Sequence, residues 1–143
     1  MSSGSYELNR ILSGHHRFGY RKGRVIEIYG PEGSGKTTCA LHTCAEATKL
    51  KMKVAFLDLE HALDANYSVS IGIDPDYFWL IQPECAEDAF EQCCDLLADK
   101  YQVIVFDSVP SMVPKAELEG RMLDSQMGLH ARVMGKGLRR IVP

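Results

Sequence analysis

Short runs of β-branched and aromatic residues alternate along this chain with longer stretches suited to helix, and that alternation limits the fold more than any single residue does. Arg24–Tyr29 reads Arg-Val-Ile-Glu-Ile-Tyr and is closed by Gly30 and Pro31, and residues 36–50 then contain neither Gly nor Pro. Strand, glycine-rich loop and helix are the predicted elements. Lys53–Asp58 and Tyr77–Ile81 are predicted as further strands, and Val103–Asp107, apolar up to its last residue, as a strand buried on both faces. Ala86, Ala89, Phe90, Cys93, Leu96 and Leu97 follow the helical period and make 85–99 an amphipathic helix. The order β-α-β-loop-β-α-β implies an α/β fold, a mostly parallel sheet with helices on both faces and right-handed crossovers. Ligands are expected at the carboxyl ends of its strands.

The stretch from Asp124 to Val142 places Leu129, Val133, Leu138 and Ile141 at helical spacing, with Gly135 and Gly137 each weakening the helix by about 1 kcal/mol relative to Ala. Arg132, Lys136, Arg139 and Arg140 fall at i, i+4, i+7 and i+8, which predicts one apolar and one basic face.

At 143 residues, 45% of them hydrophobic and 24% charged, the chain has the composition of a soluble globular domain, and one domain is expected. It has no apolar run near the ~18 residues that a membrane span requires, and its first residues lack the order of a signal peptide. A cytoplasmic location and no membrane partner are expected. The five cysteines contain no Cys-x-x-Cys pair and are predicted to be buried free thiols; the histidines are scattered, and no protein-only metal site is assigned. Charge is segregated: residues 54–99 hold eleven acids and no Lys or Arg, whereas residues 1–30 and 100–143 are each net +3. A solvated acidic face accounts for most of those carboxylates, and the basic C-terminal part suits a phosphate backbone.

Gly30-Pro-Glu-Gly-Ser-Gly-Lys-Thr37 matches G-x-x-x-x-G-K-[ST] at every defined position. Glycines at this spacing let backbone N–H groups turn inward as an anion nest, and the following helix adds its positive end. Lys36 is expected to bridge the outer phosphates of a nucleotide and Thr37 to ligate magnesium. Asp107, at the end of an apolar strand, is the expected second magnesium anchor. Hydrolysis further needs a group that orients or deprotonates water, and spacing alone leaves Asp58, Glu60 and Asp64 equally open.

Glu27–Thr38, Leu59-Glu-His-Ala-Leu-Asp64, Lys115-Ala-Glu-Leu-Glu-Gly120 and Asp124-Ser-Gln-Met-Gly128 together resemble bacterial and phage RecA recombinases, over residues 4–140. The resemblance implies a RecA-like P-loop NTPase core that uses ATP and Mg2+ with single-stranded DNA in homologous recombination and DNA repair, assembled with other RecA-like protomers in a filament. It implies that Gly30, Pro31, Glu32, Gly33, Ser34, Gly35, Lys36, Thr37 and Thr38 hold the phosphates and that Glu60 activates the hydrolytic water. Asp64 and Tyr67 would contact adenine, Thr37 and Asp107 would serve magnesium, and Met127, Arg132 and Arg139 would contact DNA. Core burial is the ordinary alternative for Tyr67.

The family continues at both ends beyond what this sequence holds: an N-terminal helix and strand that dock on the neighbouring protomer, and later strands with a second DNA-binding loop. Residues 1–143 are therefore expected to form a partial core, incomplete at the C-terminus, with a gap between the strand at 24–29 and that at 103–107. Exposed apolar edges and impaired turnover follow. The alternative function is a nucleotide-binding interaction module without ATP turnover. A small-molecule kinase is poorly supported, because no recognisable lid with paired arginines lies between Asp107 and the C-terminus.

Overall fold

The computed structural model describes residues 1–120 and 128–142. They divide into two compact units, Met1–Val54 with Leu63–Trp79, and Ala55–Ala62 with Leu80–Pro143. Three strands, β1 (Val54–Asp58), β2 (Phe78–Ile81) and β3 (Val103–Asp107), form one small parallel sheet in the order β2-β1-β3. The α/β class is thus as expected from the alternation.

Burial in the sheet follows strand order rather than apolarity. β1, the central strand, is buried at all five residues, whereas β3 lies at an edge and is only half-buried throughout. This corrects the expectation that Val103–Asp107 is covered on both faces: an all-apolar run marks a strand, and its neighbours decide what is covered.

Residues 24–29 depart further from expectation. They belong to no ladder among the described residues, and Val25, Ile26, Ile28 and Tyr29 are exposed. β-propensity reflects packing against cross-strand neighbours, and without one among the described residues the run forms no ladder.

In the first unit, α1 (Tyr6–Ser13) begins where the Ser5 hydroxyl accepts from the Leu8 amide and ends at left-handed Gly14. Leu8, Ile11 and Leu12 stand at helical spacing, yet Ile11 and Leu12 are exposed. The anchor of the helix is polar: buried Asn9 accepts at Oδ1 from the Ser3 amide (2.8 Å) and hydroxyl (2.7 Å) and donates from Nδ2 to the His16 carbonyl (2.8 Å). A buried amide satisfied on both ends costs little and fixes one geometry. The helix α2 (Lys36–Lys49) buries Leu41, Cys44, Ala45 and Ala47, and its Thr43 hydroxyl donates to the Ser3 carbonyl at 3.3 Å. The short helix α3 (Ala65–Ser70) and a 3-10 turn at Pro75–Tyr77 lead into β2.

In the second unit, α4 (Ala86–Ala98) and α6 (Leu129–Ile141) pack together, and a short α5 (Lys115–Glu119) lies between them in sequence. The core joins Leu57 and Leu59 to Ala86, Ala89, Phe90, Leu96 and Met112, with Val133, Met134 and Ile141 of α6 against it. Leu138, expected on the apolar face, is instead exposed at 38%, and Gly137 takes the buried place. The reason is steric: a Cβ built on Gly137 would overlap the Phe90 ring, whose other neighbour is Phe106 at 5.7 Å between centroids. The glycine that weakens α6 as a helix admits the ring that binds it to α4.

All five cysteines are free; Cys44, Cys85 and Cys93 are buried, whereas Cys39 and Cys94 are half-buried. Burial pushes the Cys44 thiol up to about 12 and, with Cys94 adding to it, the Cys93 thiol to about 11. Among the described residues no helix is long and apolar enough to cross a membrane.

Candidate functional site

The glycine-rich loop of the first unit turns on two of its glycines. Gly33 (φ 71°) and Gly35 (φ 86°) are both left-handed, a conformation in which a side chain is strained. Gly35 is also the N-cap of α2 and supplies no side-chain hydrogen bond, and no acidic residue occupies the first turn. Lys36 bends back to donate from Nζ to the Pro31 carbonyl at 2.9 Å, and the Ser34 amide donates to the same carbonyl at 3.3 Å. Pro31–Gly35 and Thr37 are exposed, and Thr38 is half-buried behind them. Left-handed glycines, a glycine N-cap at the start of α2 and a lysine over the same loop suit a polyphosphate.

Asp64 and Tyr67 lie on one short segment of the same unit. The Asp64 carboxylate is the N-cap of α3, accepting at Oδ1 from the amides of Asn66 (2.8 Å) and Tyr67 (3.4 Å). The Tyr67 ring is 45% exposed, which removes core burial as its explanation.

In the second unit, Glu60 sits on a turn braced from three sides. The buried Asp58 accepts at Oδ1 from the Ala62 amide (3.3 Å) and at Oδ2 from the Gln82 side-chain amide (3.2 Å), while the Leu59 amide donates to the Asp107 carbonyl at 2.8 Å. His61 is left-handed (φ 53°), an uncommon state for a residue with a Cβ, and it turns the chain directly after Glu60. Glu60 itself is exposed, with Oε1 accepting from the Ser108 hydroxyl at 2.5 Å and from Ser111 at 3.5 Å. Asp107 ends β3 half-buried, and the Asp107–Ser108 peptide is cis. Of the three acids left open by spacing, Asp58 and Asp64 each brace backbone amides, whereas Glu60 is exposed and held through one oxygen.

Gln82 and Ser111 were not singled out from sequence. Ser108-Val-Pro-Ser111 carried a usable signal, because a proline in a 3-10 turn sets hydroxyls three residues apart on one side. For Gln82 the signal was a polar amide directly after an apolar strand.

On α6, Arg132, Lys136, Arg139 and Arg140 are exposed as expected of a basic face, and none has an ion-pair partner among the described residues. The His130 ring donates from Nε2 to the Val109 carbonyl at 3.3 Å. Met127, with most of the segment 119–128, lies outside the described residues.

Among the described residues no three His, Cys, Asp or Glu side chains gather to hold a metal. Magnesium does not need such a cluster, since it is ordinarily bound by one or two protein oxygens, waters and the phosphates of a nucleotide. The hydroxyl of Thr37 and the carboxylate of Asp107 are of the right chemistry.

The family model described as the RecA N-terminal domain matches residues 1–143. The chain is 49% identical over 142 residues to Protein RecA of Rippkaea orientalis, which covers 99% of this chain and 40% of that protein. It is 49% identical over 142 residues to Protein RecA of Mycoplasmopsis pulmonis (98% and 41%) and 52% identical over 124 residues to that of Fusobacterium nucleatum (86% and 33%). The chain thus spans about two fifths of the length of the first two.

Proposed function

The chain belongs to the RecA family, and on that premise we propose that it is the P-loop NTPase core of a DNA recombinase that binds ATP with magnesium and single-stranded DNA. The observation that carries the reading is the loop Gly30–Thr37, with two left-handed glycines, the second of them the N-cap of α2. Gly30–Thr38 hold the phosphates through backbone amides, Lys36 supplies the charge, and the exposed Tyr67 ring offers a stacking face to adenine beside Asp64. Thr37 of the first unit and Asp107 of the second are the residues that would hold magnesium, and the ion would offset charge developing on the phosphate oxygens.

Glu60 takes a proton from the attacking water and fixes its direction. The rest of its turn is chemically occupied: Asp58 is taken up by Ala62 and Gln82, so Glu60 is the carboxylate free to face water through Oε2. Arg132 and Arg139 contact DNA phosphates from the exposed face of α6, with Met127 beside them in sequence, giving sequence-independent and salt-sensitive binding. In a filament with other RecA-like protomers, bound ATP would favour the DNA-holding assembly and hydrolysis would release it. A cytoplasmic location accords with that substrate.

ATP hydrolysis by the purified chain, with and without single-stranded DNA, tests this directly. Expected is DNA-stimulated turnover that falls by about 10²–10⁴-fold in Glu60→Gln with nucleotide binding retained, and loss of nucleotide binding in Lys36→Ala. Turnover that survives Glu60→Gln would remove Glu60 from its role. Binding without turnover in the unaltered chain would favour the nucleotide-binding interaction module.

A further inference from the structure

We propose that the Ser108 hydroxyl, backed by Ser111, is the positioning group for Glu60, selecting which carboxylate oxygen is presented to water; this rests on Glu60 being the residue that activates that water.

A glutamate on an exposed turn has three side-chain torsions and two chemically equal oxygens, so left to itself it offers a proton acceptor in many directions. Here one oxygen is taken. Ser108 Oγ donates to Oε1 at 2.5 Å, within the range of charge-assisted hydroxyl–carboxylate bonds. Oε2 has no protein partner among the described residues. The proton from water is therefore received on Oε2 while Oε1 stays tied.

Each end of this bond has a brace of its own, and the Leu59 amide on the Asp107 carbonyl at 2.8 Å ties the two together. Glu60 rides on the turn closed by Asp58, Ala62 and Gln82. Ser108 opens the 3-10 turn Val109–Ser111, closed by the Ser111 amide on the Ser108 carbonyl at 3.2 Å. That turn is pinned by buried Met112, whose amide donates to the Val109 carbonyl at 3.1 Å, and by the Ala86 amide on the Val113 carbonyl at 2.8 Å. Ser111 Oγ lies 3.1 Å from Ser108 Oγ and only at the outer limit from Glu60. Its better role is to donate to Ser108, leaving the Ser108 proton for the carboxylate.

The test compares Ser108→Ala, Ser108→Thr and Ser111→Ala in the full chain by DNA-stimulated ATP turnover, by affinity for a fluorescent ATP analogue, and by the 13C shift of the Glu60 carboxyl carbon. Ser108→Ala should lower kcat by roughly tenfold to a hundredfold, the range seen when a reacting group is misplaced by about an ångström, with KM and analogue affinity unchanged. Ser108→Thr, which keeps the hydroxyl, should recover most of the loss, and Ser111→Ala should fall between. The Glu60 carboxyl resonance should move in Ser108→Ala and return in Ser108→Thr. Unchanged kcat in Ser108→Ala overturns the proposal, and so does a loss that Thr fails to rescue. If the unaltered chain has no turnover, the catalytic reading of Glu60 fails by itself, and the carboxyl shift still decides: an unmoved resonance in Ser108→Ala overturns the positioning role.

Discussion

Gly135 and Gly137 are two residues apart on α6 and invite the same substitution, yet the structure assigns them opposite outcomes. Replacing a helix-interior glycine by alanine stabilises by about 1 kcal/mol through backbone entropy and propensity. At Gly135 nothing opposes this gain, since the nearest atom to an added Cβ is the mobile Arg139 Nη1 at 3.6 Å. At Gly137 the added methyl meets the Phe90 ring, itself only 4% exposed and held against Phe106. Overpacking of this kind costs about 1–3 kcal/mol. Because the helical gain is common to both, the variants should differ by the overpacking alone, about 2 kcal/mol, or about 1 M in urea midpoint at a slope of about 2 kcal/mol/M. Gly135→Ala should lie above the parent and Gly137→Ala at or below it, and Phe90→Leu should cost less in the Gly137→Ala background than in the parent. If both alanine variants rise together, the ring yields without cost and the account of why α6 carries a buried glycine is wrong.

Asp64→Asn should leave stability unchanged because Asn caps helices as well as Asp, whereas Asp64→Ala should cost about 1 kcal/mol; nucleotide affinity lost in the Asn variant would then report a contact separate from the cap. Arg132→Ala and Arg139→Ala should each lower the dependence of log Kd for single-stranded DNA on log salt by about one phosphate contact, and a slope unchanged in both would move the DNA surface elsewhere. The buried Cys44 thiol is raised from 9.0 to about 12, so the unfolded chain ionises there first and stability should fall as pH rises between those values, by up to about 1.4 kcal/mol per pH unit. Cys44→Ala should flatten that part of a pH–denaturation series. Alkylation near neutral pH should mark Cys39 and Cys94 before Cys44 and Cys93.

Local chemistry was the part of this molecule that could be read in advance. Lys36–Lys49 and Ala86–Ala98 form within a residue or so of their predicted helices, the first from a stretch without Gly or Pro behind the glycine-rich loop and the second from its own apolar period. What depends on neighbours was not legible. Val54–Asp58 and Val103–Asp107 look alike as sequence, and only their places in the sheet make one buried and the other an edge. The run 24–29 has strand-forming residues and no ladder. The helix at Tyr6–Ser13 was legible in the spacing of Leu8, Ile11 and Leu12, but its polar anchor, Asn9 among serines, was not. In the candidate site, the glycine loop announced itself by composition, and Glu60 stood out only through family resemblance. Its bond to Ser108 spans 48 residues, a distance at which no spacing rule applies.

The bond from Lys36 to the Pro31 carbonyl bears on how fast and how tightly an anion can be taken up. A lysine loose in water gives up about 2 kcal/mol of rotamer freedom when it is immobilised on a ligand. Here much of that freedom is already surrendered to the loop, so an arriving phosphate replaces one acceptor by a stronger one without having to order the side chain. The loop is in this sense a spring already set: affinity is gained through what does not have to be arranged on arrival.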